Sequence, residues 1–334
     1  MEKEQKQEKF NKLVQCAENY IETKALRIIN AIRKTEYKNC FEAIYEDEDF
    51  RYRPQYTIEE LEKFNEKDLE KILIKRFCGE LQNQSGRTNA IKYFSYNNDP
   101  QNGGEDGNNI LLKVLDYYND GKPEKYFWCE LYEKFQGKEN SYIIGSENNE
   151  NNKACNATSS PISNCNKFEQ CKKTLKTRAN YGWREYCRGL TDALNYIKET
   201  SKEELVKQIK DIIIDGKPNE RKKFLNNFMV KFRSIGQELV YDFFKELCCE
   251  NLIKPDVHIK YLYKNVLNGQ EKNSFNIAED FIQMCNEYEN GKYTPYYIDK
   301  ILWLCCTGNF YKEDITINSI NRENFINSYP ELKN

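Results

Sequence analysis

Phe10, Leu13, Val14 and Ala17 fall at i, i+3, i+4 and i+7 in a run otherwise made of Lys, Glu, Gln and Asn. That spacing predicts one amphipathic helix over residues 1 to about 35. "TIEELEKF" opens with Thr57 and Glu60 in capping-box spacing, and "EKDLEKILIKRFC" continues the helical pattern. "YNNDPQNGGEDGNN" at 96–109 is a turn-rich loop, followed by two short helices in "ILLKVLDYYNDGK" and "PEKYFWCELYEKF". A hairpin near 88–95 is the one strand reading, and no alternation is long enough for a large sheet. Residues 145–166 are rich in Asn and Ser and poor in large apolar side chains. Such a stretch cannot offset the entropy of its own ordering, so it reads as a flexible linker or as an insertion.

Beyond it the helical signal strengthens. "YGWREYCRGLTDALNYIKE" is helical, and "TSKEELVKQIKDIII" is capped by Thr200 or Ser201. Then one spacing repeats three times: Leu225, Phe228, Met229, Phe232; Val240, Phe243, Phe244, Leu247; Ile259, Leu262, Tyr263, Val266. Each set predicts a helix with one buried stripe. The order is helix, tight turn at Gly236, helix, short loop, Asp256, helix. The fold class is therefore mainly α. It divides into an N-terminal helical region (1–140), the Asn/Ser-rich segment (141–172) and a C-terminal helical part (173–334).

Composition adds that 24 Tyr and 18 Phe supply much of the core, while a formal net charge of −2 points to no partner class. No apolar run approaches the roughly 20 residues of a membrane span. The charged N-terminal stretch has no export-signal core, so an intracellular, reducing setting with free or buried thiols is expected for the 13 Cys. Cys248–Cys249 and Cys305–Cys306 are adjacent pairs, and the lone His258 stands apart from any cysteine cluster, so no metal is expected.

Gly236 permits close backbone approach, and the following helix start is suited to a phosphate. Pro255 keeps Lys254 out of helical geometry and leaves Asp256 at an N-cap. Cap bonds favour the ionised carboxylate. Between Arg221 and Lys272 stand ten Lys or Arg against six Asp or Glu, a mild surplus suited to a nucleic-acid face.

"FRSIG", ending at Gly236, is followed twenty residues later by "DVHI", beginning at Asp256. This resembles the helix-hairpin-helix DNA glycosylase superfamily, in which an L-P-G-[IV]-G hairpin precedes a catalytic Asp in a D-x-H-[VI] context. "TPYYIDKILWLCCTGNFY" is similar to the closing helix of some members, and the likeness covers about residues 180–312. Arg233 and Ser234 replace the hairpin's Pro and Gly, and only the final Gly is kept. Glu238 stands where bifunctional members carry the Schiff-base Lys, so lyase activity is not expected. The cysteines after Asp256 lack the spacing of the family's iron–sulfur loop, so neither a cluster nor another cofactor is expected.

The resemblance implies a monofunctional glycosylase acting on duplex DNA with a damaged or unusual base. Asp256 would stabilise the positive charge that builds on the sugar and orient water. Arg233, Ser234, Ile235 and Gly236 would touch the DNA backbone. Trp183, Tyr186 and Trp303 are candidates for the slot holding the flipped base. The alternative is a catalytically lapsed DNA-binding or protein-interaction protein that keeps the fold. Without the resemblance, Asp256 is a plain cap, His258 a packing residue, Glu238 a solvated first-turn acid, and Trp303 part of a core stripe.

Overall fold

A computed structural model describes residues 2–34, 36–39, 41–43, 53–82, 189, 192–232, 235–310 and 315–333. The described residues are mainly helical, as the three-, four- and seven-residue spacings predict. They belong to two compact units: Met1–Leu61 with Gln208–Asn226 and Gln237–Asn334, and Glu62–Lys207 with Asn227–Gly236. In chain order the helices are α1 (Glu2–Ile21), α2 (Arg27–Arg33), α3 (Ile58–Lys63), α4 (Glu66–Gln82), α5 (Lys202–Gln208), α6 (Pro218–Met229), α7 (Gln237–Leu247), α8 (Val257–Asn265), α9 (Ser274–Glu287), α10 (Pro295–Thr307) and α11 (Arg322–Ser328). Residues 192–199 are also helical. Single π-helical stretches, Glu22–Leu26 and Ile209–Ile214, continue α1 into α2 and extend α5. A two-residue antiparallel ladder pairs β1 (Asn309–Phe310) with β2 (Ile315–Thr316). The expected loop at 96–109, the helices after it, the hairpin at 88–95 and the segment 145–166 lie outside the described residues.

In the first unit α10 is the central element. It packs against α1, α8, α9 and α11, and eleven of its thirteen residues are buried, so contact comes from every side rather than one stripe. Thr294 caps its first turn with Pro295 behind it, and Gly308 ends it in the left-handed region at φ 67°. The predicted stripe of α1 is fully inside: Phe10, Leu13, Val14 and Ala17 are at most 1% exposed. Phe10 sets its ring edge-on to Phe281 and Tyr288, at 5.8 and 6.4 Å. Each such ring is worth about 1.5–3 kcal/mol of burial.

Two polar clusters cross the same unit. Arg221 of α6 forms a fork on Glu279 of α9 (Nε–Oε1 3.0 Å, Nη2–Oε2 2.6 Å), and the Tyr241 hydroxyl of α7 donates to Glu279 at 3.0 Å. Burial and the Glu279 charge push the Tyr241 hydroxyl far up, so it stays a donor. In the second cluster Lys245 of α7 contacts Asp299 of α10 at 2.5 Å and Asp242 at 3.2 Å. Lys254 reaches Asp242, Lys300 reaches Glu246, and the Tyr296 hydroxyl donates to Glu246. Lys245, Lys300, Asp242 and Asp299 are all at least 95% buried.

In the second unit the described core is aromatic. Phe77 of α4, Tyr196, Phe228 and Phe232 contact one another with ring centroids 4.9 to 6.5 Å apart. The predicted stripe Leu225, Phe228, Met229, Phe232 outlasts its helix: α6 ends at Met229, and Phe232 is buried from the turn that follows. The caps follow their chemistry. Thr57 and Glu60 close a reciprocal box, with Glu60 N–H donating to Thr57 Oγ1 (3.2 Å) and Thr57 N–H to Glu60 Oε2 (2.7 Å). Of Thr200 and Ser201, Ser201 accepts from the Glu204 N–H.

Candidate functional site

The segment between α7 and α8 is short and tied at both ends. Tyr296 N–H donates to Glu250 C=O at 2.9 Å, anchoring it to the start of α10. Pro255 then forces a tight turn, closed by Asp256 N–H donating to Lys254 C=O at 2.8 Å. Asp256 sits in extended geometry at the N-cap of α8. Its Oδ1 accepts from both His258 N–H (2.8 Å) and Ile259 N–H (2.9 Å). Among the described residues Oδ2 accepts no hydrogen bond, and the residue is half-buried. One oxygen therefore does the capping while the other makes no hydrogen bond among the described residues.

His258, in the first turn of α8, is half-buried, and its Nδ1 is shut off from solvent without a hydrogen-bond partner among the described residues. Burial holds the imidazole below its ordinary value. The Asp256 carboxylate opposes that, and the Arg322 charge reinforces it. The ring is thus neutral at pH 7, as a packing role requires. Cys306 of α10 is buried nearby, with its thiol pushed up to about 12 by burial and by Asp256, so it is no thiolate at neutral pH. His258 and Cys306 share the wall of a 640 Å³ cavity with Tyr261, Arg322, Asn327 and Lys333. Asp256 is not part of that wall, but its charge acts on two residues that are.

The other predicted site residues fall as follows. Ile235 is buried and Gly236 exposed just before α7. Arg233, Ser234, Trp183 and Tyr186 lie outside the described residues. Trp303 is half-buried on α10 and does not line the cavity.

Two expectations need correction. Glu238 is a part-exposed first-turn acid but not a merely solvated one: Lys260 of α8 forms an ion pair with it, and the Ser274 hydroxyl of α9 donates to it at 3.0 Å. Burial pushes its carboxyl up, but the Lys260 ammonium and the Ser274 hydroxyl outweigh that and hold it below the usual range. Nor do the surplus Lys and Arg of 221–272 form one free basic face. Arg221, Lys245, Lys254 and Lys260 are each paired with carboxylates.

Sequence reasoning missed Arg322, Asn327 and Lys333. They lie beyond residues 180–312, and α11, which carries Arg322 and Asn327, is too short to show a stripe, while Lys333 follows it. A usable signal was Asn321 ahead of "RENF", a helix start with a cation in its first turn. No family model matches this chain, and no curated protein or solved structure matches it.

Proposed function

We propose that the chain is a helix-hairpin-helix glycosylase-like protein. It hydrolyses the N-glycosidic bond of a base flipped out of duplex DNA, with Asp256 as the central carboxylate. The observation that carries the reading is the divided role of Asp256: Oδ1 is fixed by two backbone N–H groups, while Oδ2 accepts no hydrogen bond among the described residues. A carboxylate held rigid by one oxygen needs little reorganisation when positive charge develops on a sugar at the other. The order of α6, α7, Pro255, capped Asp256 and α8 along residues 218–265 supports the reading, since the resemblance calls for helices on either side of Gly236 and a capped Asp before the next helix. Glu238, salt-bridged and lacking an amine, leaves water as the nucleophile.

The test uses the ability of asparagine to cap a helix nearly as well as aspartate. Asp256→Asn therefore keeps the turn and removes the charge. Full-length protein is incubated with duplexes carrying deaminated, oxidised or alkylated bases, and abasic sites are revealed by hot alkali. Base release by the natural chain, reduced about 100-fold or more by Asp256→Asn, is expected. Equal yields from both proteins would sink the enzymatic reading.

A second reading rests on the altered hairpin, where Arg233 and Ser234 stand in place of Pro and Gly: a DNA-binding or protein-interaction protein that keeps the fold without the chemistry. Salt-dependent DNA binding that Asp256→Asn leaves unchanged, with no base release, would establish it.

A further inference from the structure

We infer that the cavity beside α8 and α11 is a binding site for a phosphate group, with Arg322 as its principal ligand. The half-buried or buried cations Arg221, Lys245, Lys254, Lys260 and Lys300 all face a carboxylate in the first unit. Arg322 does not. Its guanidinium lies over the Tyr261 ring, 4.0 Å from the centroid, and among the described residues it makes no ion pair. Stacking fixes the plane of the fork and leaves its N–H edge without a protein acceptor. Lys333 and Asn327 line the same cavity, and their side chains likewise have no partner among the described residues.

The cations thus outnumber the carboxylates. Glu323 is the one carboxylate in the lining, against Arg322 and Lys333. His258 is neutral and adds no competing charge. A planar, stacked guanidinium beside an ammonium and an amide suits an oxyanion with several oxygens, which the fork can grip bidentately. The volume, 640 Å³, lies within the range of about 300–1,000 Å³ typical of ligand pockets. It has room for the sugar that carries such a phosphate. Two sources share this chemistry: a free nucleoside monophosphate and a phosphate of a DNA strand. The inference does not depend on Asp256 acting in catalysis.

Calorimetric titration of the full chain with inorganic phosphate, a deoxynucleoside 5′-monophosphate and a short DNA duplex separates the cases. Arg322→Gln should weaken phosphate and monophosphate binding by about ten-fold or more, the loss of one charge-assisted fork. Lys333→Gln should weaken it several-fold. Lys264→Gln, an exposed position on α8 away from the cavity, should bind as the natural chain does. Competition between monophosphate and duplex, with both lost in Arg322→Gln, assigns the site to a strand phosphate; a monophosphate that binds without displacing duplex assigns it to a free nucleotide. Arg322→Lys keeps the charge and must still weaken binding, which guards against a Gln variant that merely unfolds. Asp256→Asn should retain phosphate binding even where base release fails, so the two readings fall separately. No uptake of any probe by the natural chain below about 10 mM, or affinity in Arg322→Gln and Arg322→Lys equal to that of the natural chain, overturns the assignment.

Discussion

Glu238 shows how far a single side chain can depart from its sequence reading. In the first turn of α7 an acid favours the helix dipole and needs no other reason to be there. The structure gives it a second role, because Lys260 and Ser274 bring α8 and α9 to the same carboxylate. Its carboxyl is held below the ordinary 4.5, so the contribution to stability is present above the unfolded value and is lost as pH falls through the folded one. Both partners are more than a third exposed, so solvent screening keeps the gain below about 1 kcal/mol. Glu238→Gln should therefore be less stable than the natural chain in urea at pH 7. The gap should narrow as pH falls below 4.5 and through the lowered folded value. A gap that stays constant on acidification would mean the side chain acts by packing. Asp256 was legible from sequence for the opposite reason: Pro before Asp before a stripe is a local signal, and the cap is a local event.

At the scale of elements, the stripes of α1, α7 and α8 were readable because burial of one helix face repeats every three to four residues. What α7 and α10 do with their charges was not. Asp242, Lys245 and Glu246 of α7 meet Asp299 and Lys300 of α10, with Lys245 and Asp299, and Glu246 and Lys300, each 54 residues apart in sequence. No local rule announces that pairing. Burial pushes Asp299 up and Lys300 down, and the opposite charges around each work against that. Removing one partner leaves an uncompensated buried charge, so Lys245→Met should cost about 3–5 kcal/mol in chemical denaturation. Lys245→Met with Asp299→Leu should recover much of the loss. The remaining pairs, Asp242 with Lys254 and Glu246 with Lys300, stay intact. A double variant no better than the single one would show that Asp299 is not the chief partner of Lys245.

For the molecule as a whole, which helices meet was the least legible feature. α1 lies on α10 across most of the chain length, with the Cys305 thiol donating to Ala17 C=O 288 residues away. An amphipathic stripe says that a face is covered but not by what. The cysteines make this arrangement measurable. Cys16, Cys248, Cys249, Cys285, Cys305 and Cys306 are buried, and all six belong to the first unit. Burial drives the thiols of Cys249 and Cys285 well above the ordinary value and those of Cys16 and Cys306 to about 12. Reaction with an aromatic disulfide needs both access and a thiolate; the fold withholds access from all six and disfavours the thiolate at Cys16, Cys249, Cys285 and Cys306. These six should therefore stay unmodified in native protein at neutral pH, as read by peptide mass mapping. They should become reactive together as denaturant opens the unit in which α1, α7, α9 and α10 share one core, because none can be exposed while the others remain packed. Cys16 reacting well before Cys305 would show instead that α1 detaches from α10 on its own, making the first helix a separately stable layer over the rest.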